Sequence, residues 1–268
     1  MLKRVRAKLF LALLSFLALE RFCHFQTEGF ALSKMLLENS PPSAGPSETL
    51  TFIGAGKQFY AFETADRKHV VKFMKFSRRR PLPWLEKTSL PFLESWKRNY
   101  LAERAKRLSN LESSSRLALK HLSSEAALAS YPLSKHLILI DKLGIRHRID
   151  RAQTKFLVQK KATAFILYFE QNPSQAQALI SSYIETISSQ CKKGISNLDP
   201  ILERNYGVVD NRMILMDVGS LLASPKLSTS IGLKRQIFLE LLPLRQWLQN
   251  HHPEHLAYFD LQLKKNRP

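Results

Sequence analysis

Short apolar or alternating runs follow one another between residues 50 and 159. They cover residues 50–53, 59–64, 69–73, 137–141, 145–149 and 156–159. Each run has the length of a strand and is bounded by glycine or polar turn residues, which indicates β-hairpins. After residue 162 the apolar spacing becomes helical, and it predicts helices over residues 163–171, 173–193, 231–250 and 254–264. The two patterns together predict an α+β fold.

A long helical pattern interrupts the strands. Residues 93–129 contain no glycine or proline, and apolar or small residues recur at steps of three and four from Leu101 to Ala129. This spacing predicts one long amphipathic helix, or two helices in series with a break near residues 110–115.

One later segment combines a loop, a tight hairpin and two aspartates. Asp199 lies where the sequence has no helical spacing, and two strand-like runs follow, joined by Asp210 and Asn211. These two residue types tolerate positive φ, so they suit a two-residue hairpin turn. The second run leads directly into Asp217. Because a carboxylate at the end of a buried strand is costly without a cationic partner, we expect a metal ion at Asp217.

The first hairpin turn and the third strand carry a second group of candidate residues. Gly54, Ala55 and Gly56 form the turn, where small residues let main-chain N–H groups approach a phosphate closely. Strand alternation places Lys72 between apolar residues on one face of its strand. An ammonium group there needs a bound anion or a counter-charge, and a lysine that reaches solvent at a strand edge is the alternative.

The order of these features resembles the protein-kinase-like fold, the superfamily that includes aminoglycoside and other small-molecule phosphotransferases. The resemblance implies a two-lobed α+β fold with a small antiparallel β lobe and a reduced, mostly helical C-lobe. It implies ATP and Mg²⁺ as cofactors. It assigns Asp199 to the catalytic-loop base, Asn205 to the second metal ligand, and Asp217 to the aspartate of the metal-binding segment.

The same resemblance assigns the nucleotide-binding residues. The turn at residues 54–56 would cover the phosphates, and Lys72 would contact them and pair with a glutamate of the long helix. Glu125 is the first choice for that partner and Glu112 is the second.

The connector at residues 160–163 resembles the hinge that holds an adenine through main-chain groups. Gln159 and Lys160, at the end of the preceding strand, therefore join the nucleotide-binding set by resemblance. The nucleotide is the partner that this set implies.

One spacing and three positions depart from the family pattern. The step from Asp199 to Asn205 is one residue longer than in the family, and Asn197 stands where a histidine is common. Phe59 replaces a glycine, and Val218 replaces a phenylalanine. Two functions are therefore carried forward. The first is transfer of the ATP γ-phosphate to a hydroxyl group of a small molecule, sugar or lipid. The alternative is a catalytically inactive, pseudokinase-like protein that binds an anionic membrane or an acidic partner.

The positive net charge predicts a binding surface for the alternative, the inactive binding protein. The 268 residues include 41 Lys and Arg against 22 Asp and Glu, a net charge of +19. Such an excess attracts phosphates, anionic lipids or nucleic acid. Residues 75–107 hold ten Lys or Arg against three Glu, so this basic segment is the expected partner surface, with a solvated face as the alternative. Because the sequence has no nucleic-acid module signature, nucleic acid is the weakest of these expectations.

The N-terminus begins with basic residues at positions 3, 4, 6 and 8, followed by an apolar stretch at residues 9–19. Eleven helical residues reach about 16 Å, roughly half of a bilayer's hydrocarbon core. The segment is therefore a secretory signal over residues 1–22, an anchor, or a helix that packs on the core or lies at a membrane surface. We expect a cytoplasmic or membrane-associated protein.

These patterns divide the chain into four segments. They are an N-terminal basic and hydrophobic helical segment (1–37), a Pro- and Ser-rich linker (38–48), an N-lobe with a basic helical insertion (49–162) and a reduced C-lobe (163–268). Cys23 and Cys191 are predicted to be unpaired. The histidines at 251, 252 and 255 are interpreted as a solvated helix end rather than a metal site.

Overall fold

The computed structural model describes residues 2–37, 45–76 and 94–265. Helices and a mixed β-sheet are both present, so the chain has an α+β fold, as the sequence predicts. The chain divides into two compact units. The first comprises Met1–Arg67, Val71–Glu94 and Pro132–Phe156, and the second comprises Lys68–Val70, Ser95–Tyr131 and Leu157–Pro268.

The first unit is built on a sheet in which five strands follow the order β5-β4-β1-β2-β3. The strands are β1 (Ser47–Ala55), β2 (Phe59–Thr64), β3 (His69–Met74), β4 (His136–Ile140) and β5 (Arg146–Asp150). β1 pairs antiparallel with β2, and β4 pairs antiparallel with β5. β1 and β4, however, are parallel, with Ser47 opposite His136.

The parallel pair corrects the expectation of a purely antiparallel lobe. Parallel strands need a long crossover connection, and the long segment between β3 and β4 supplies it. Strand periodicity could not show this, because the alternation of side chains is the same in both directions.

Helix α1 (Leu2–Thr27) precedes this sheet and leads into a buried turn. Phe30, just after the turn, is 5% exposed and packs edge-on against Phe52, Tyr60 and Phe62. None of the helices in the described part of the chain is long and apolar enough to cross a membrane. Of the predicted linker, residues 38–44 lie outside the described ranges, and β1 already begins at Ser47.

The second unit contains the long helix and most of the chain after residue 156. Its helices are α2 (Glu94–His121), α3 (Phe165–Gln171), α4 (Ala176–Lys192), α5 (Leu202–Asn205), α6 (Ser230–His251) and α7 (Leu256–Lys265). Its strands are β6 (Phe156–Lys160), β7 (Thr163–Ala164), β8 (Ile195–Asn197), β9 (Tyr206–Val209), β10 (Arg212–Leu215) and β11 (Leu221–Ala223). β9 pairs with β7 and β10, while β8 pairs with β11.

α4 forms the centre of this unit. The apolar residues that the sequence places at helical spacing on α4 are fully buried, among them Leu179, Ile180, Tyr183 and Ile184. α4 packs against α6, α7 and β10. The helix that precedes the Asp199 loop is therefore fixed by packing over most of its length.

Two local predictions can be compared with the structure directly. Asp210 and Asn211 have φ values of +50° and +61°, so the predicted hairpin turn is confirmed. The long helix is continuous through residues 110–115 but ends at His121. Glu125 consequently lies in the turn after α2, and not within the helix as the spacing predicted.

Candidate functional site

Strand pairing places the Asp199 loop beside the Asp217 segment. Asn197, at the end of β8, lies opposite Leu221 of β11, and the N–H of Leu198 donates to the carbonyl of Ser220 at 2.9 Å. Asp199 follows β8, whereas Asp217 precedes β11. The two aspartates therefore leave the same two-stranded ladder on neighbouring strands.

Asn205 connects these two segments. Its side-chain Nδ2 donates to the main-chain carbonyl of Asp199 at 2.5 Å. Its own carbonyl accepts from the N–H groups of Met216 at 2.8 Å and Asp217 at 3.4 Å. Three residues that the sequence analysis selected separately thus lie in one hydrogen-bonded cluster of the second unit.

The cluster leaves oxygen atoms for a cation. Asp217 Oδ1 accepts from the N–H of Gly219 at 2.9 Å, and within the described ranges no protein donor bonds Asp217 Oδ2 or Asn205 Oδ1. No group of three or more His, Cys, Asp or Glu that could hold a metal occurs in the described residues. A carboxylate and an amide oxygen fit Mg²⁺ when water and substrate phosphates complete the octahedron.

A buried glutamate is hydrogen-bonded to the main chain that leads into the Asp199 loop. Glu240 of α6 is 1% exposed, and its Oε1 accepts from the N–H of Asn197 at 2.9 Å. Gln236 donates to the same oxygen at 2.8 Å, and Gln190 donates to Oε2 at 2.8 Å. Burial raises the pKa of the Glu240 carboxyl, although these donors oppose the shift.

Sequence reasoning missed Glu240, yet a signal was present. The residue lies on the apolar stripe of α6, next to the buried Leu241 and one turn from Ile237 and Leu244. A carboxylate on a buried helix face has to meet donors inside the protein. Here one of those donors, the N–H of Asn197, belongs to the segment that leads into Asp199.

Ser114 of α2 contacts the segment on the other side of Asp217. Its hydroxyl donates to the carbonyl of Val218 at 2.5 Å and accepts from the N–H of Leu221 at 2.7 Å. Ser114 is 2% exposed. The helix therefore fixes the main chain of the Asp217 segment through one serine, which nothing in the sequence pattern singled out.

Glu125 has its observed partners within the second unit. Its Oε1 accepts from Lys193 Nζ and from Ser189 Oγ. Burial opposes ionisation, but the hydrogen bonds from Lys193 and Ser189 lower the pKa of the Glu125 carboxyl overall. The predicted pairing of Lys72 with Glu125, or with Glu112 on α2, stays a prediction.

The connector after β6 is engaged with its own unit. The side chain of Gln159 donates to the carbonyls of Ala126 at 2.7 Å and Leu215 at 3.0 Å. The N–H of Lys160 donates to Ala127 O at 2.9 Å, and the N–H of Lys161 donates to Lys68 O at 2.8 Å. Two main-chain donors of the hinge-like segment are thus taken by protein carbonyls.

In the first unit, the turn begins later than the sequence predicts, because Gly54 and Ala55 are still paired with β2 as part of β1. The N–H of Gly56 donates to Phe59 O at 3.0 Å and closes the turn. A Cβ atom at Gly54 would meet nothing within 4 Å. Packing therefore does not explain this glycine. Lys72 lies half-buried in β3.

The side chain of Lys75 contacts the glycine turn. Its Nζ donates to the carbonyl of Gly56 at 2.6 Å and lies 3.9 Å from the centre of the Tyr60 ring. Lys75 is 8% exposed. Lys75 therefore does not belong to an exposed basic surface, in which the sequence placed it. Residues 77–93 of that predicted surface lie outside the described ranges.

A separate cavity of about 390 Å³ lies in the second unit and does not include the Asp199 cluster. Glu125, Lys160, Glu185 and Asp210 are among its lining residues. Among the C-terminal histidines, His252 bonds Glu170 at 3.0 Å and Glu254 at 3.2 Å.

Comparisons with known proteins give weak likenesses. No family model and no curated protein matches the chain. The 2.2 Å crystal structure of WbdD is 16% identical, with a TM-score of 0.42, over 80% of this chain and 46% of that one. Monomeric WbdD gives 16% identity and a TM-score of 0.39, over 78% and 44% of the two chains.

A third structure, of the bifunctional kinase-methyltransferase WbdD, gives 16% identity and a TM-score of 0.36 over 77% of this chain and 43% of that one. This chain spans less than half the length of each of these three solved chains. At TM-scores below 0.5, these likenesses carry no argument about the fold or the site of this chain.

Proposed function

We propose that this protein is a two-lobed, kinase-like phosphotransferase that moves the γ-phosphate of ATP to a hydroxyl group of a small molecule, sugar or lipid. The observation that supports it is the hydrogen-bonded cluster of Asp199, Asn205 and Asp217 in the second unit. These residue types occur in the order of the base and the metal ligands in the protein-kinase-like fold, which the sequence resembles.

In this proposal Asp199 accepts a hydrogen bond from the acceptor hydroxyl and orients its oxygen for attack. Asn205 Oδ1 and Asp217 Oδ2 would hold Mg²⁺. The bound ion would neutralise negative charge on the phosphate groups. Glu240 is a positioning residue, because it holds the main chain two residues before Asp199.

The first unit contributes to the proposal through the resemblance alone. Main-chain groups at residues 54–56 would contact phosphate oxygens, and Lys72 would supply a positive charge to them. Gln159 and Lys160 would contact the adenine through main-chain groups other than the Lys160 N–H, which donates to Ala127 O. By the same resemblance, Glu125 or Glu112 would support Lys72, and in the structure Glu125 bonds Lys193.

The second candidate function is a kinase-like binding protein without phosphotransfer. The observation that favours it is the use of the Lys160 and Lys161 N–H groups by protein carbonyls, which removes two donors from the hinge-like connector. Such a protein would work through its basic surface on an anionic or acidic partner.

The two functions are separated by thermal unfolding of the full chain with ATP and Mg²⁺, with ATP and EDTA, and without nucleotide. A ligand at a hundred times its dissociation constant adds about 2.7 kcal/mol to the unfolding free energy, which gives a clear rise in Tm. We expect a rise with ATP and Mg²⁺ that Lys72→Ala and Asp217→Asn abolish. Asp260→Asn, a surface change in the same unit, is the matched control.

Phosphotransfer is then assayed as ADP release in the presence of a panel of hydroxyl acceptors. Asp199→Asn should keep the rise in Tm and lose turnover. A wild-type protein with no nucleotide-dependent rise contradicts the phosphotransferase. A metal-dependent rise without turnover for any acceptor favours the binding protein.

A further inference from the structure

Helix α1 exposes its apolar side chains to solvent. Every residue from 10 to 25 is exposed in the structure. Phe16 is 64% exposed, Leu19 60%, Phe22 60% and Phe25 75%. Burying a side chain of this size contributes about 1.5–3 kcal/mol, so leaving this many in water is a large unfavourable term.

The apolar positions surround the helix completely. At about 100° per residue, the large apolar side chains at 10, 11, 13, 14, 16, 17 and 19 point in every direction around the axis. A groove on a partner protein covers one face of a helix and would leave the remaining apolar faces in water. A surrounding hydrocarbon medium covers all of them.

Length and charge identify the kind of medium. The apolar stretch is too short to span a bilayer, and no helix of the described ranges meets that requirement. In sequence, Lys3, Arg4, Arg6 and Lys8 precede the stretch, and Glu20 and Arg21 follow it. When such a helix lies within one leaflet, the polar side chains at its two ends can reach the headgroups, and the basic end suits anionic lipid.

We propose that α1 inserts into one leaflet of a lipid bilayer that contains anionic lipids and anchors the protein there. Its main-chain hydrogen bonds are satisfied within the helix, so the backbone can enter hydrocarbon without further partners. This function is independent of the proposed phosphotransfer.

The anchor is joined to the first unit by a structured turn. The N–H of Gly29, which has φ +69°, donates to His24 O at 2.9 Å, and Gly29 O accepts from the Tyr60 hydroxyl at 2.7 Å and from Lys34 Nζ at 3.1 Å. Phe30 is buried directly afterwards. An inserted α1 therefore holds the first unit at the bilayer surface.

The test is flotation of the full chain with vesicles of phosphatidylcholine alone or mixed equally with phosphatidylglycerol. The variant is Leu13→Glu with Phe16→Glu, two exposed positions where glutamate preserves helix propensity. Its matched control is Leu119→Glu with Ile231→Glu, which places the same charges on two exposed apolar helix positions of the second unit. Circular dichroism and Tm establish that both variants fold.

We expect the wild type and the control to float with mixed vesicles, and the α1 variant to lose about a hundredfold in partition coefficient. The exposed Cys23 provides a probe of insertion, since Cys191 is buried. An environment-sensitive fluorophore on Cys23 should shift to shorter wavelength on vesicles and be quenched by lipids with brominated acyl chains.

Three results would overturn the anchor. They are a wild type that stays with the buffer for both vesicle types, an α1 variant that floats as well as the wild type, and binding that high salt abolishes while the probe spectrum is unchanged. A wild-type dimer that becomes monomeric in the α1 variant, without vesicle binding, would show that a second copy covers the helix.

Discussion

The main-chain N–H of Asn197 donates a hydrogen bond to the buried carboxylate of Glu240, with 2.9 Å between nitrogen and oxygen. This bond joins α6 to the loop that carries Asp199, and it is made by a residue from a distant part of the chain. The position of Asp199 therefore depends on the packing and protonation of Glu240.

Replacing Glu240 tests this dependence. Glu240→Leu leaves the Asn197 N–H without its acceptor and removes one of the two acceptors of the Gln190 amide, so we expect the unfolding free energy to fall by about 1–3 kcal/mol. Glu240→Gln keeps one acceptor oxygen and should cost less. Urea unfolding measures both, with Glu203→Gln, an exposed glutamate of the same unit, as the control.

Glu240 also gives the protein a pH dependence of defined sign. Its pKa in the folded protein is raised above the ordinary value of 4.5, because burial disfavours the charged form. The folded state then binds the proton more tightly than the unfolded state, so stability falls as pH rises from about 4.5 through the folded pKa. The Glu240→Gln variant should lack this fall; a wild type and variant with parallel pH profiles would contradict it.

Gly54→Ala separates a packing role from a ligand role. Because a Cβ atom there meets nothing within 4 Å, the stability should be unchanged or rise by about 0.4–1 kcal/mol. If the turn approaches a phosphate, the dissociation constant for ATP and Mg²⁺ should rise about tenfold, which isothermal titration calorimetry measures. Ala65→Ser adds one side-chain atom at the exposed second turn and is the control. An unchanged nucleotide affinity in Gly54→Ala would remove the glycine turn from the proposed site.

Gly207→Ala is the opposite case. Its Cβ atom would lie 2.7 Å from Met216 Sδ and 2.9 Å from Thr163 O, so we expect a loss of about 1–3 kcal/mol.

The Glu125–Lys193 pair makes a further prediction. Lys193→Met removes the main cation from a carboxylate that is 9% exposed, and we expect a loss of about 1–2 kcal/mol at neutral pH. The magnitude is below that of a fully buried pair because the Lys193 side chain is 38% exposed. Adding Glu125→Gln should recover most of the loss, since no buried charge then remains.

Lys192→Met is the matched control for this pair, because Lys192 is exposed and precedes Lys193 at the end of α4. The folded pKa of Glu125 is lowered, so the wild-type contribution is present above the ordinary value of 4.5 and is lost as pH falls through the folded pKa. A loss in Lys192→Met as large as in Lys193→Met would contradict the specific pairing.

His252 predicts a dependence in the neutral range. Burial opposes its charged form, but hydrogen bonds to Glu170 and Glu254 raise the pKa of its imidazole above 6.5. The stabilisation is complete below 6.5 and is lost as pH rises through the folded pKa. His252→Gln should lower stability by about 0.5–1 kcal/mol at pH 6 and less at pH 8, whereas the exposed His121→Gln should change neither.

Much of the local structure followed from neighbouring residues. The Asp210–Asn211 turn and the position of Asp217 after a buried strand depend on alternation and φ preferences, which act within a few residues. The length of β1 did not follow, because it has nine residues where the pattern predicts four. The order of Asp199, Asn205 and Asp217 could also be read directly from the sequence. Whether these residues act on a nucleotide stays a prediction.

Tertiary structure decided the long-range partners. The parallel pairing of β1 with β4, the bond from Asn197 to Glu240, the use of Glu125 by Lys193 and the inward position of Lys75 each join distant residues. A sequence pattern shows that a buried charge needs a partner, because desolvation is costly, but several residues of the right charge are always available. Only the packing of the elements determines which one lies within hydrogen-bonding distance.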